Sequence, residues 1–295
     1  MIVLLTGAGG QLGRAVQAAA PAGTKLRAVT HAELDIADEP AVRSALRTHG
    51  PELVINTAAF TRVDDAETHP EDAMRANGAG PAVLAAACRD SRAWLVHVSS
   101  DYVFDGTQNQ PYAPSAQPNP LGVYGRTKLA GEIAVKQVLA SASTVVRSSW
   151  VYSAGHRNFL TTMLQRMGAG TELRVVSDQI GAPTATSGLA RVLWALAERR
   201  AAGIYHWCDS GVASWYDFAV AIAEEAVAAR LLTAAATVLP VASAEYKVLA
   251  PRPRYSLLDK RDTERLLGFS APHWRAVLRQ TLKQLAAQPA AGAGA

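Results

Sequence analysis

Residues 2–13, Ile-Val-Leu-Leu-Thr-Gly-Ala-Gly-Gly-Gln-Leu-Gly, decide how the rest of the chain is read. Ile2–Thr6 is a short apolar run of the kind that forms a strand buried on both faces. Gly7, Gly10 and Gly13 follow in a G-x-x-G-x-x-G spacing, and a helical pattern opens at Gln11. Glycines at these intervals allow a tight turn, a backbone close enough to touch a pyrophosphate, and a helix packed against its strand. The free N–H groups of such a helix start attract an anion. A glycine-rich turn alone is weak evidence, because glycines also end strands for steric reasons. Between a clear strand and a clear helix it predicts dinucleotide binding, with Gly7, Gly9, Gly10, Gln11 and Leu12 as candidate cofactor contacts.

Outward from this turn, short β-branched runs alternate with Ala-rich helical stretches. The strand candidates are Ile2–Thr6, Lys25–Thr30, Leu53–Asn56, Trp94–Ser99 and Thr144–Arg147. The helices between them are Gln11–Ala19, Glu39–His49, Glu71–Asp90 and Val123–Leu139. This order predicts an α/β fold: a Rossmann-like, doubly wound parallel sheet with a smaller C-terminal substrate-binding domain. Residues 1–150 would form the NAD(P)-binding Rossmann domain, with later segments returning to it. Residues 151–285 would bind mainly the substrate, using helices near Phe159–Met167, Ser187–Arg199, Trp215–Arg230 and His273–Ala286. Thr107–Pro120, rich in Pro, Asn and Gln, reads as a loop. The last ten residues, 286–295, offer nothing to bury and are expected to be disordered.

Composition narrows the function classes. Of 295 residues, 49% are hydrophobic, enough for a sizeable core, and 18% are charged. The net charge of +4 is spread along the chain, without the clustered basic stripe of a nucleic-acid surface. No apolar run reaches about 18 residues, so no membrane span is expected. No basic stretch precedes the first apolar residues, so no signal peptide is expected. Cys88 and Cys208 stand far apart, in no metal-like spacing, which suits a reduced, cytoplasmic protein.

Selectivity for NAD commonly comes from an acidic residue at the end of the second strand, bonded to the ribose 2′-hydroxyl. Here the strand ends Arg27-Ala28-Val29-Thr30-His31, with no carboxylate before Glu33. That permits a 2′-phosphate, with Arg27 or His31 in reach, and predicts NADPH with NADH possible. Asp35 and Ile36 could approach the adenine, although Asp35 serves equally well as a helix-capping residue.

The reactive end is predicted at the carboxyl ends of the strands, where open α/β sheets bind ligands. The first and fourth strands are expected to flank the reversal in strand order. Ser100 and Asp101 end the fourth strand, and Asn56-Thr57-Ala58-Ala59-Phe60 leaves the third, with Ala58 and Ala59 small enough for a nucleotide to lie close. Tyr124 and Lys128 stand four apart in a helical stretch, one turn on the same face. Together they suit carbonyl reduction. Tyr124 would donate a proton, Lys128 would stabilise the phenolate and lower the Tyr pKa, and Ser100 would bond the substrate oxygen. Singly, each is as well explained by a solvated helix face or a strand-end turn. The combination after a glycine turn is not.

These residues resemble the extended short-chain dehydrogenase/reductase family, in particular its dTDP-4-dehydrorhamnose reductase branch. The likeness covers nearly the whole chain: Gly7–Gly13, Asn56–Glu67, Ser99–Gly106, Val123–Glu132, Arg147–Tyr152, Asp178–Thr184 and Arg252–Asp259. It implies reduction of the C4 keto group of dTDP-4-dehydro-β-L-rhamnose, in nucleotide-sugar biosynthesis for cell-surface polysaccharide. Catalysis would fall to Tyr124, Lys128 and Ser100. Asp101 and Trp150 would contact the sugar, and Arg252 the nucleotide diphosphate. Asn77 would be a supporting residue. Some relatives are described as dimers that bridge magnesium through an acidic residue just after the glycine turn. This chain has Arg14-Ala15 there, so no metal is expected, and the oligomer is left as monomer or homodimer.

Three alternatives stay open. A 4,6-dehydratase would need an Asp-Glu pair after the strand-end hydroxyl, and Ser100 is followed by Asp101-Tyr102. An epimerase would retain tightly bound NAD. A non-catalytic regulatory subunit, like the β subunit of methionine adenosyltransferase, would act by contact with a partner.

Overall fold

A computed structural model describes residues 1–287 of the chain. Its central sheet has the strands β1 (Ile2–Thr6), β2 (Lys25–Val29), β3 (Leu53–Asn56), β4 (Trp94–Ser100), β5 (Ser143–Ser148) and a sixth, Gly203–Trp207. They lie in the spatial order sixth–β5–β4–β3–β1–β2, and every pairing is parallel. β3 and β5 are buried at every residue, as expected for strands covered on both faces. The α/β, doubly wound class read from the sequence is the observed one.

The reversal in strand order falls between β1 and β3, not between the first and fourth strands as expected. Each residue of β3 is paired on both sides, Leu53 with Val3 and with Trp94, so β3 separates β1 from β4. The segment Thr57–Phe60 therefore leaves the sheet between the glycine turn and Ser100, at the point where such folds bind nucleotides.

On one face of the sheet, Val3, Leu5 and Ile55 pack against Leu189, Leu193 and Trp194 of helix Thr186–Glu198. On the other, Leu4, Val54 and Leu95 meet Leu84 and Val135. Each large side chain so buried contributes about 1.5–3 kcal/mol. A helix from beyond residue 150 is thus essential to the first sheet. A separate cluster of Leu160, Phe218, Ile222 and Leu278 organises much of the remainder.

The expected single helix Glu71–Asp90 is broken into Pro70–Met74, a π-helical turn Arg75–Ala79, and Gly80–Ser91. Pro81 has no N–H to donate, and a wider turn just ahead of it absorbs the missing bond. A further short helix, Val63–Thr68, was not expected. The last helix, Trp274–Ala287, includes the first two residues of the expected disordered tail, and 288–295 lie outside the described residues. Among the described residues, no helix is long and apolar enough to cross a membrane.

Candidate functional site

A cavity of about 1260 Å³ runs along the carboxyl edge of the sheet, and the candidate catalytic, cofactor and substrate residues read from the sequence line it, Arg27 and the supporting Asn77 excepted. The glycine turn, Asp35, Ile36 and Ala58–Phe60 occupy one end. Ser100, Asp101, Tyr124 and Lys128 are in the middle, and Trp150 and Arg252 lie beyond them.

At the phosphate end the glycines are required by space. Gly7 has φ +74°, and a Cβ there would sit 2.5 Å from the Ala58 nitrogen. A Cβ on Gly13 would sit 2.2 Å from the Gly7 carbonyl oxygen. Nothing comparable crowds Gly9 or Gly10, where the backbone opens to the cavity. A cradle that forbids side chains at its floor and exposes the start of helix Gln11–Ala18 fits the pyrophosphate of a nicotinamide dinucleotide. Gln11 also reaches across the cavity, donating to the Val151 carbonyl at 3.0 Å.

Asp35 is not the helix cap that was its alternative reading, since Asp38 caps helix Glu39–His49 by accepting from the Ala41 N–H at 3.0 Å. Asp35 lines the cavity, accepts from the Ala37 N–H at 2.9 Å and pairs with Arg75. Partial burial raises its pKa, but these bonds outweigh that and hold the carboxyl below its ordinary range. His31 lines the cavity. Arg27 does not, and its guanidinium faces Glu33 at 3.8 Å.

Tyr124 and Lys128 project from helix Val123–Leu139. Glycines let that helix sit close: a Cβ on Gly125 or Gly131 would come within 2.2 Å of the carbonyl oxygen of Tyr102 or Asn77. Lys128 is 2% exposed, and its Nζ donates to the Val98 carbonyl at 2.7 Å. Burial lowers its pKa to about 8, with Glu132 opposing. The Tyr124 ring stands edge-on to Tyr102, centroids 5.5 Å apart. Burial pushes its hydroxyl up to about 12, with Ser100 opposing. The expected lowering of this pKa is therefore corrected in its net direction, which is upward. Desolvation dominates, and the ammonium is engaged by the backbone of β4.

Ser100 Oγ donates to Asp101 Oδ1 at 3.0 Å and accepts from the Tyr102 N–H at 3.2 Å. Asp101 is 1% exposed, and burial raises its carboxyl to about 6, against hydrogen bonds from Ser256 and Ser100.

Beyond the reactive centre, Trp150 holds φ +47° and stacks on Trp215, centroids 3.7 Å apart and planes 9° from parallel. Gly181 lies under the Trp150 ring, where a Cβ would approach to 2.9 Å. Arg252 is committed to Asp64 at 2.7 and 3.1 Å, and Asp64 also accepts from the Leu249 and Ala250 N–H groups.

Sequence reasoning missed Trp215 as a site residue. It is the first residue of a helix, and nothing local marks its partner 65 positions away. The cavity-lining cations Arg157, Arg166 and Arg174 were missed for the same reason. Asn77, expected only as a support, clamps the segment leaving β3. Its Oδ1 accepts from the Phe60 N–H at 2.9 Å, and its Nδ2 donates to the Phe60 carbonyl at 3.0 Å and to Thr127 at 3.1 Å.

A nucleotide cradle at the sheet reversal, next to a buried Tyr–Lys helix, is the arrangement of the short-chain dehydrogenase/reductase class. Residues 1–287 match the family described as RmlD substrate binding domain, and the chain belongs to that family. It is 42% identical to a dTDP-4-dehydrorhamnose reductase of Streptomyces griseus, over 96% of this chain and 93% of that one. It is 40% identical to a dTDP-4-keto-6-deoxy-D-glucose reductase of Streptomyces niveus, over 96% of each. Among solved structures, it superposes with TM-score 0.90 on a Bacillus anthracis dTDP-4-dehydrorhamnose reductase in complex with NADP. That match has 33% identity and covers 96% of this chain and 99% of that one.

Proposed function

We propose that this chain reduces the C4 keto group of dTDP-4-dehydro-β-L-rhamnose to give dTDP-L-rhamnose, with NADPH as the preferred reductant and NADH as an alternative. The observation that carries the reading is the meeting of Tyr124, Lys128 and Ser100 in the cavity that begins at the glycine cradle.

Gly7–Leu12 would hold the cofactor's pyrophosphate on the helix start, and Asp35, Ile36 and His31 would surround its adenosine end. When bound, the reduced nicotinamide supplies hydride to the carbonyl carbon. The protein supplies the rest. Tyr124 is a neutral phenol at neutral pH, because its pKa stands near 12, so its proton is available for the developing alkoxide. Lys128, one helical turn along, stabilises the phenolate that remains. Ser100 orients the substrate oxygen, and charge there is stabilised most in a site from which water is excluded. The aromatic pair Trp150–Trp215 would bound the sugar, and the arginines beyond it suit an anionic nucleotide diphosphate.

The likeness to the Streptomyces niveus enzyme favours a second reading, reduction of another dTDP-4-keto-6-deoxy sugar by the same residues. Purified protein with NADPH and each keto sugar in turn, followed by loss of reduced-cofactor absorbance, separates the two. Turnover of dTDP-4-dehydrorhamnose, with dTDP-rhamnose identified as product, is the expected result. Absence of turnover with either substrate would overturn the reductase reading.

A further inference from the structure

The helix that carries Tyr124 and Lys128 also carries Glu132, one turn further on and 1% exposed. Its carboxylate is gripped by Arg147 of β5, itself 1% exposed. Arg147 Nε lies 2.9 Å from Oε1 and 3.2 Å from Oε2, and Nη2 lies 2.6 Å from Oε2. The guanidinium has no free side. Nη1 points at the Pro114 carbonyl and at His206 Nε2, both at 3.4 Å, and Cζ lies over the Phe104 ring, 5.0 Å from its centre. His206 Nδ1 donates to the Tyr112 carbonyl at 3.0 Å, which leaves Nε2 unprotonated as an acceptor for Arg147. Neither member of the pair lines the cavity, so neither touches substrate.

A buried ion pair is a poor device for stability, since desolving two charges costs about as much as their attraction returns. It is a good device for fixing one arrangement. This pair joins the catalytic helix to β5, the loop through Pro114 and the sixth strand, one residue behind the Ser100–Ser148 register.

We propose that Glu132, locked by Arg147, is a positioning residue for Lys128: it fixes the helix one turn beyond the ammonium and provides the carboxylate that favours its charged form. Residues at this spacing share a helix face. The other charged or titratable groups around Lys128 are Tyr124 on the same helix, His97 on β4, Asp101 past the end of β4, and Arg147 behind Glu132. His97 is buried and held neutral, chiefly by desolvation and further by the Lys128 charge. Burial opposes the charge on Lys128, and Glu132 opposes burial.

The inference rests on the reductase reading for its consequence, but not for its measurement. The neutral double variant Glu132→Gln/Arg147→Met keeps the volume of the pair and leaves no unpaired buried charge, so it is the variant expected to fold. The ¹³Cε signal of Lys128 in lysine-labelled protein, assigned by its loss in Lys128→Met, reads the ammonium's titration without turnover. That titration should move down by about half a pH unit, and the alkaline limb of kcat/KM should follow, an effect of about threefold at a pH above the limb. Thermal melting is recorded in parallel. A Lys128 titration identical to that of the parent, whatever the melting temperature, would overturn the proposal and leave the pair a scaffold. An inactive parent protein would overturn the reductase reading while leaving the titration test intact.

Discussion

The hydroxyl of Ser100 donates its proton to Asp101, 3.0 Å away on the next residue. A hydroxyl has a single proton to give. While Asp101 is ionised that proton is committed, and Ser100 faces the cavity only as an acceptor. Once Asp101 takes up a proton it can donate to Ser100, which frees the serine proton for a substrate oxygen. With the Asp101 carboxyl raised to about 6 by burial, kcat/KM of the parent protein should show an ionisation near that pH. Asp101→Asn should lack it. The same inflection in both profiles would assign it to another group.

Removing the phenolic hydroxyl tests the proton donor directly. Tyr124→Phe should lower kcat by about 10²–10⁴-fold, the usual span for a positioned general acid. NADPH affinity, measured by fluorescence titration, should change by less than the loss in turnover, because the cradle at Gly7–Gly13 is untouched. Full activity in the variant would remove Tyr124 from the mechanism.

The glycine turn separates two substitutions that look alike on paper. In Gly13→Ala the new methyl would meet the Gly7 carbonyl at 2.2 Å, so the turn must deform, and NADPH binding should weaken at least tenfold. In Gly9→Ala the nearest obstacle is a Thr30 methyl at 3.5 Å, an ordinary contact. Calorimetric titration of both variants with NADPH should rank them in that order.

Gly181→Ala acts at the other end. Its methyl would press on the Trp150 indole at 2.9–3.1 Å and push it from its stack with Trp215. KM for the sugar nucleotide should rise several-fold while the cofactor's Kd stays near that of the parent. Equal shifts in both constants would mean that the aromatic pair does not belong to the sugar end.

Asp209 gives a test of stability against pH. It is fully buried, and desolvation raises its carboxyl to about 7, against a hydrogen bond from the Ala185 N–H and the charge of Lys260. The folded form therefore holds a proton that the unfolded form releases near pH 4. Stability from this group is complete below that pH and is lost as pH rises to about 7, at about 1.4 kcal/mol per unit. Asp209→Asn cannot titrate. Its melting temperature relative to the parent should climb from pH 4 to pH 7 and level off above, and a constant difference across that range would contradict the assignment.

What could be read from the sequence was local. The glycine intervals, the Tyr124–Lys128 spacing and the apolar strands each lie within one element, where steric rules act on neighbours. Pairings between remote residues were not legible. Nothing near Leu53 tells that β3 takes β1 and β4 as its two partners, so the reversal was placed one strand off. That Arg252, assigned to an anion by resemblance, also pairs with Asp64 was not legible, because the two lie 188 positions apart. The π turn before Pro81 was missed because helical periodicity alone does not register one extra residue. The tuning of Tyr124 was misjudged because desolvation depends on how deeply the finished fold buries the ring.

Helix Thr186–Glu198 and the sixth strand, Gly203–Trp207, are synthesised after the other five strands, and Leu267 and Ala271, which complete the cluster on that face, later still. A nascent chain that has emerged only through Trp150 presents β5 as an open edge, with Val3, Leu5 and Ile55 uncovered on one side. Such an edge invites pairing with other chains. The sheet's cover on that side is thus complete only once the chain has been made through Ala271.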